Sequence, residues 1–267
     1  MSKFEILCVT MHQKDFSKTQ QMNIHSDVFF ANQADHTAFE ERELDGHKVR
    51  MLTTDTRGVG INRNLTLMYA SAEIVLLSDD DMRYTDTCEQ DILREFEAHP
   101  DADVMIFNIG TIGAEGRTQK QNKKTKKTTF WSRMPYGAPR IALRMDALRR
   151  KNIWFTTLFG GGCKYSNGED SIFLADLRKA GLRVYVSSVL IGNVDMSDST
   201  WFRGANEEFY FNKGVYLKAV HPKTMLLYNL YFIFRVRSHI SMGQRWMWLR
   251  KGNRAFRKGL SFADCNQ

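Results

Sequence analysis

The chain has 267 residues, 43% hydrophobic and 25% charged, which is enough to bury the core of one large domain with or without an appendage. Its four cysteines lie far apart with no CxxC pair, which argues against a zinc site or a secreted disulfide framework and favours a reducing cytoplasm. The net charge is +8, but residues 222–260 hold nine Lys and Arg and no Asp or Glu, so the rest of the chain sums to −1. A nucleic-acid partner is therefore not expected, because its binding surface would spread basic residues over the folded domain.

The first half of the chain alternates short apolar runs with helical patterns. This alternation predicts an α/β fold, in which helices flank an open, mostly parallel, Rossmann-like sheet. The first strand is expected at the N-terminus, in place of a signal peptide, because Glu5 interrupts the apolar stretch. The predicted strands are 5–9, 27–31, 49–52, 73–77 and 103–109, and the predicted helices are 62–72 and 86–98.

A polar stretch then interrupts this pattern. Residues 113–130 contain six Lys and Arg and few apolar side chains, and we predict a mobile loop there. The loop is either a solvated linker or a lid that closes on phosphates or on an acceptor. Order is expected to resume in a strand at 140–144, a short helix from Asp146, a helix at 169–179 that Gly181 ends, and a strand at 183–187.

Three consecutive carboxylates follow the predicted strand 73–77. Asp79, Asp80 and Asp81 would stand at the carboxyl end of a parallel strand, where open α/β sheets place their ligands. Adjacent carboxylates repel one another, and Mg²⁺ or Mn²⁺ would neutralise them while also binding diphosphate oxygens. Backbone alternation predicts that Asp79 and Asp81 point the same way and ligate the metal. The alternative is that the run caps a helix or faces solvent.

The stretch TDTRGVGINRNLTL precedes this strand. Arg57 and Arg63 are candidates to bring positive charge to a diphosphate, and Gly58 and Gly60 would allow the backbone to approach it. For Arg63 a surface salt bridge is the alternative role.

Further along, FGGGCKYSNGED places glycines before a carboxylate pair at the start of a helix. Gly161 and Gly162 could form a flat wall for a sugar ring, and Glu169 could contact the acceptor. Asp170 is the candidate base that removes a proton from the attacking hydroxyl. Charge complementarity with the helix N-terminus is the alternative for both carboxylates.

Taken in order, TRGVGINRN, LLSDDDMRY and NGEDSIFLADLRKAG resemble the family-two glycosyltransferases of bacterial polysaccharide assembly, which have the GT-A fold. The resemblance covers residues 4–212. It implies an inverting, single-displacement transfer from a nucleotide-diphosphate sugar to a glycan or lipid-linked glycan, with Asp79 to Asp81 at the donor and Asp170 as base. Uridine is the base that the family usually binds, and a hexose is the sugar we expect.

The resemblance also implies contacts for other residues. Thr10 and Asp35 match positions that approach the nucleotide base, and Gln33 stands beside them in ANQAD, where the family often has an Asp-Asp-Gly-Ser-like run. GNVDMSDSTWF resembles members that act on lipid-linked acceptors, so Trp201 is a candidate to stack on a sugar. A core tryptophan is equally expected there.

Residues 213–267 are predicted to be a separate helical segment. Its basic residues alternate with aromatic and aliphatic ones, a pattern typical of contact with a membrane surface. The expected location is cytoplasmic and peripheral, on the inner face of the plasma membrane. Two rival functions remain open: a nucleotidyltransferase that acts on sugar phosphates, and a non-catalytic module that binds membrane surfaces.

Overall fold

The computed structural model describes residues 2–113, 119–129, 132, 134–197 and 204–265. The chain forms two compact units. Unit 1 comprises Met1–Thr157 and Glu169–Asp198, and unit 2 comprises Leu158–Gly168 and Ser199–Gln267. This grouping differs from the predicted division at residue 212, because unit 2 includes a helix that begins at Glu207.

Unit 1 is built on one sheet. In the described residues the sheet has ten strands: β1 (Phe4–Met11), β2 (Asp27–Gln33), β3 (Ala38–Leu44), β4 (His47–Thr54), β5 (Ile74–Asp79), β6 (Met82–Tyr84), β7 (Val104–Ile112), β8 (Lys126–Lys127), β9 (Ile141–Arg144) and β10 (Val184–Asp195). Their order is β3-β4-β2-β1-β5-β9-β7-β10-β6, with β8 paired to β10. Strands β4, β2, β1 and β5 are mutually parallel, so their carboxyl ends meet at one edge.

Helices cover both faces of the sheet. They are α1 (Lys18–Gln21), α2 (Val59–Tyr69), α3 (Cys88–Ala98), α4 (Met145–Lys151) and α5 (Glu169–Lys179). Alternate side chains of each strand supply the two cores: Leu7 packs with α2, α4 and α5, whereas Ile6 and Cys8 pack with α3. Each aliphatic side chain buried this way contributes about 1.5–3 kcal/mol.

The prediction of a mostly parallel α/β sheet is confirmed. Strand β3 was not predicted, because Ala38–Leu44 is a charged edge strand whose residues are mostly exposed. The predicted mobile loop differs from the structure over residues 119–129. There Asn122 exchanges hydrogen bonds with Asn108, and the Gln121 side chain donates to the Ile109 carbonyl at 2.7 Å, so the segment is held on the sheet.

The described residues of unit 2 form three long helices, α6 (Glu207–Val220), α7 (Met225–Arg235) and α8 (Met242–Lys258). Helices α6 and α8 approach closely: a Cβ on Gly214 would lie 2.2 Å from the Leu249 carbonyl oxygen, and one on Gly252 would lie 2.1 Å from that of Phe211. A capping box of Ser241 and Gln244 starts α8. The predicted helical C-terminal segment is confirmed. None of the helices in the described ranges has the length and apolar content that crossing a membrane requires.

Candidate active site

The acidic run lies at the carboxyl edge of the parallel strands, as the sequence predicts. Asp79 is the last residue of β5 and pairs in register with Val9 of β1. The next residue of β1, Thr10, is buried and donates its hydroxyl hydrogen to Asp80 Oδ2 at 2.5 Å. Lys18 Nζ donates to the backbone oxygen of Asp80 at 3.1 Å. Two elements therefore fix Asp80, one through its carboxylate and one through its carbonyl.

The chain turns after Asp79, so strand alternation does not set the direction of Asp81. Asp80 and Asp81 form the turn between β5 and β6. Asp81 Oδ1 is buried and accepts no hydrogen bond from the described residues. Burial, together with the charges of Asp79 and Asp80, raises the pKa of Asp81 to about 7. A buried carboxylate oxygen with no donor and a raised pKa is a position that favours a cation.

Arg63 connects the acidic run to the carboxylate pair of α5. Its Nη2 lies 3.0 Å from Asp79 Oδ1, and its Nη1 lies 2.5 Å from Asp170 Oδ1 and 3.3 Å from Glu169 Oε1. The guanidinium also lies over the ring of Phe155, 5.3 Å from its centre. Burial opposes the charge, but Asp170, Asp79 and Glu169 outweigh it and raise the pKa of Arg63.

This environment differs from the role predicted for Arg63. The sequence suggested contact with a diphosphate or a surface salt bridge, whereas the side chain is buried and its two Nη atoms face carboxylates. The glycines before it also have other roles. Gly58 has a φ of +113° at the start of α2, and a Cβ on Gly60 would lie 2.2 Å from the Thr156 carbonyl oxygen. These glycines allow α2 to pack closely enough to bring Arg63 to the site.

Asp170, the candidate base, is a carboxylate in the first turn of α5. One oxygen faces Arg63, and the other, Oδ2, accepts a hydrogen bond from the Ala138 backbone N–H at 3.0 Å. Burial raises the pKa of Asp170 to about 7, against the opposing effect of Arg63, and Glu169 and Asp79 add to the rise. A carboxylate with a pKa near 7 accepts a proton readily at neutral pH.

Another carboxylate lies close to the run but is turned to a different partner. The Asp195 backbone N–H donates to the Asp81 carbonyl at 2.9 Å. Its Oδ1, however, accepts hydrogen bonds from the backbone N–H and the hydroxyl of Ser197. Within the described ranges, no three His, Cys, Asp or Glu side chains are grouped as a metal site.

The residues predicted to contact the nucleotide lie at or near the same edge of the sheet. Gln33, the last residue of β2, donates its side-chain N–H to the Gly58 carbonyl at 3.2 Å. Asp35 is almost fully exposed and pairs with His36. Arg57 is exposed, and its Nη1 donates to the Ala34 carbonyl at 2.8 Å. Asp35 and Arg57 are both exposed and so remain open to a ligand, although Arg57 also holds loop backbone through Nη1; Gln33 is buried and holds loop backbone only.

The predicted acceptor residues other than Glu169 belong to unit 2. Gly161 has open space where a side chain would stand, and Gly162 has a φ of +72°. Trp201 lies outside the described residues. Their acceptor contacts stay predictions.

Lys18 is a site residue that sequence reasoning missed. It lies on a short helix after β1, and its ammonium lowers the pKa of Asp81 by attraction, although burial dominates the shift. The sequence could have indicated Lys18, because β1 and β5 are parallel neighbours and the segments that follow them begin at the same edge of the sheet. The chain separation of 62 residues between Lys18 and Asp80 hid the pairing.

Comparisons with known proteins agree with this architecture. Residues 30–157, which include Arg63 and the acidic run, match the family model described as glycosyl transferase family 2. No curated protein matches the chain significantly. Among solved structures, the chain is similar to residues 1–349 of S. aureus TarS, with a TM-score of 0.56, 17% identity, and coverage of 99% of this chain and 73% of that chain.

Two further TarS structures give similar values. TarS in complex with UDP-GlcNAc matches with a TM-score of 0.54 and 20% identity over 96% of this chain and 73% of that chain. Another TarS structure matches with a TM-score of 0.57 and 18% identity over 95% of this chain, which spans 43% of that chain. At these identities the likeness shows the fold. The family match over residues 30–157 and this likeness in fold together support a family 2 glycosyltransferase with the GT-A fold.

Proposed function

We propose that this enzyme transfers a hexose-type sugar, with inversion, from a UDP-sugar to a hydroxyl group of a glycan or lipid-linked glycan. The observation that carries the proposal is the bridge formed by Arg63. It joins Asp79, at the predicted donor side, to Asp170, the candidate base, through contacts of 3.0 and 2.5 Å. One guanidinium thus sets the spacing between the two groups that a single displacement requires.

Asp170 acts as the general base in this proposal. Its raised pKa lets it take the proton of the acceptor hydroxyl as that oxygen attacks the anomeric carbon. The Ala138 N–H and Arg63 hold the two carboxylate oxygens and so orient the base. The bond to the nucleotide diphosphate breaks as the new glycosidic bond forms, and no covalent enzyme intermediate is needed.

The carboxylates of Asp79 and Asp81 are proposed to hold Mn²⁺ or Mg²⁺. The fit rests on Asp81 Oδ1, which is buried without a hydrogen-bond donor from the described residues. Ions of this type take one or two carboxylates and complete their coordination with phosphate and water. When bound, such a cation neutralises the charge that develops on the leaving diphosphate.

The remaining donor contacts follow the sequence predictions. Thr10, near the end of β1, is hydrogen-bonded to Asp80, and Asp35 is exposed just after the end of β2. These three residues are proposed to contact the nucleoside. The choice of uridine is supported by the similarity in fold to TarS, of which one structure contains UDP-GlcNAc. Arg57 is proposed to reach the diphosphate, and Arg63 to position carboxylates. The enzyme is proposed to act in the cytoplasm, at the inner face of the plasma membrane.

A thermal-shift screen tests the proposal. Nucleoside diphosphates and their sugars are added with and without Mn²⁺, since a ligand that binds only the folded state stabilises it by about 2.7 kcal/mol at a hundred times its Kd. We expect UDP and a UDP-sugar to raise the melting temperature only when Mn²⁺ is present. The proposal would be contradicted if no nucleotide raised the melting temperature, or if the rise were the same with and without Mn²⁺.

A further inference from the structure

Helix α7 carries a continuous apolar face exposed to solvent. The face comprises Leu226, Leu227, Leu230, Tyr231 and Phe234, and we call it the α7 apolar face. Leu227 is 69% exposed and Phe234 is 65% exposed. The spacing of these residues places them on one side of the helix. A patch of large apolar side chains on one helix marks a site of interaction.

The face is part of a fixed surface. On the other side of α7, Asn229 and Ile233 are buried in unit 2. Beyond the helix, Arg245 of α8 donates hydrogen bonds to the carbonyls of Ile233 at 2.6 Å and Ser238 at 2.9 Å. These contacts hold the end of α7 on α8, so the helix cannot rotate to bury its apolar face without breaking them.

Cations flank the face at both ends. Lys223 precedes α7, Arg235 ends it, and Arg237 follows; all three are exposed. None of them forms an ion pair with another of the described residues. Residues 222–260 contain no Asp or Glu, so the sequence around the face offers no acidic partner.

We propose that the α7 apolar face binds the surface of a bilayer that contains anionic phospholipids. The helix has 11 residues, so it is about 16 Å long and suits a position in the plane of the interface. Its apolar side chains would enter the acyl boundary, while Lys223, Arg235 and Arg237 would meet the anionic headgroups.

A second copy of the chain fits this face less well. A two-fold contact would bring the same patch of each copy together and would set the cations Lys223, Arg235 and Arg237 of one copy near those of the other. No carboxylate within 222–260 could compensate that repulsion. An anionic bilayer supplies the missing charge and the apolar phase together.

The inference deepens the proposed location of the enzyme at a membrane and rests on the proposed function only for its biological setting. Its test uses no sugar transfer, so it can fail while the catalytic proposal stands. The full chain is sedimented with vesicles of phosphatidylcholine alone or of phosphatidylcholine with phosphatidylglycerol. Leu227→Glu is compared with Met68→Glu, which changes a residue of similar exposure, 63%, on α2.

We expect the unaltered chain and Met68→Glu to bind the anionic vesicles, and Leu227→Glu to bind about tenfold more weakly because a leucine no longer enters the apolar phase. Replacing Lys223, Arg235 and Arg237 by Gln should weaken binding roughly fivefold for each charge removed. Thermal unfolding of each variant checks that it folds.

Three results would overturn the proposal. The first is failure of the unaltered chain to bind anionic vesicles. The second is equal binding by Leu227→Glu and Met68→Glu when both are folded. The third is a dimer in sedimentation velocity that Leu227→Glu dissociates while vesicle binding is absent, which would assign the face to a second copy.

Discussion

Replacement of Arg63 by methionine tests whether one buried cation holds the active-site carboxylates together. The change keeps a side chain of similar length but removes the charge that faces Asp79, Glu169 and Asp170 at 3.0, 3.3 and 2.5 Å. Removing one partner of a buried pair typically costs about 3–5 kcal/mol, because the remaining charge is left uncompensated. The side chains of Asp79 and Asp170 are each 18% exposed, so water screens part of that cost. We expect the free energy of unfolding to fall by about 3 kcal/mol at neutral pH.

The pH dependence gives this prediction a specific sign. Burial raises the pKa of Asp170 to about 7 and Arg63 lowers it, so in Arg63→Met the folded-state pKa of Asp170 should rise further above its unfolded value. The folded variant then binds more protons than the unfolded chain, so its stability increases as the pH falls and is lost as the pH rises through the raised pKa of Asp170. The difference in free energy of unfolding between Arg63→Met and the unaltered chain should therefore become smaller toward acidic pH.

Denaturant unfolding followed by tryptophan fluorescence at several pH values measures the effect. Arg94→Met is the matched control, because Arg94 is 73% exposed and pairs with Asp91 on the surface of α3. Arg63→Lys should recover part of the stability but little transfer activity, since an ammonium cannot bridge carboxylates as the planar guanidinium does. A loss in Arg63→Met no larger than that in Arg94→Met, or one independent of pH, would refute the reasoning.

Three other predictions concern single side chains. The transfer rate of the unaltered enzyme should fall as the pH drops through about 7, where Asp170 takes up its proton, and a pH–rate profile unchanged in that range would contradict this role. Asp81→Asn should leave the metal-free protein at least as stable as the unaltered chain above pH 7, because burial disfavours the charge of Asp81 and raises its pKa to about 7. Thermal unfolding with and without Mn²⁺ should show that the variant is no longer stabilised by the metal. Gly60→Ala should lower the free energy of unfolding by about 1–3 kcal/mol, because the added Cβ meets the Thr156 carbonyl oxygen. Gly161→Ala has open space at the Cβ and should unfold at nearly the same denaturant concentration as the unaltered chain.

Periodicity predicted the elements whose burial decides their structure. Residues 5–9 and 27–31 lie within β1 and β2, and the helix 169–179 has the predicted bounds. Elements governed by other effects were harder to predict. The helix expected at 62–72 begins earlier, at Val59, and Gly58 is the residue that precedes its first turn. The edge strand β3 lacks the apolar alternation that signals a strand.

The sequence predicted only those residues of the candidate site that adjoin a clearly periodic element. Asp79 and Asp170 were recognisable because each stands at the end or start of a clear element. The bridge between them was not, since Arg63 lies 16 residues from Asp79 and 107 from Asp170 in the chain. Composition also cannot distinguish an arginine that binds phosphate from one that neutralises buried carboxylates. Packing decides, and the close approach of Gly60 to Thr156 is part of that packing.

Titration calorimetry with UDP, in the presence and absence of Mn²⁺, tests the central claim that the acidic run holds the donor while Asp170 serves the acceptor. We expect Asp170→Asn to abolish sugar transfer yet to bind UDP with Mn²⁺ as the unaltered enzyme does, whereas Asp81→Asn should lose the metal-dependent part of that binding. Equal loss of UDP binding in both variants, or full metal-dependent binding in Asp81→Asn, would contradict that claim.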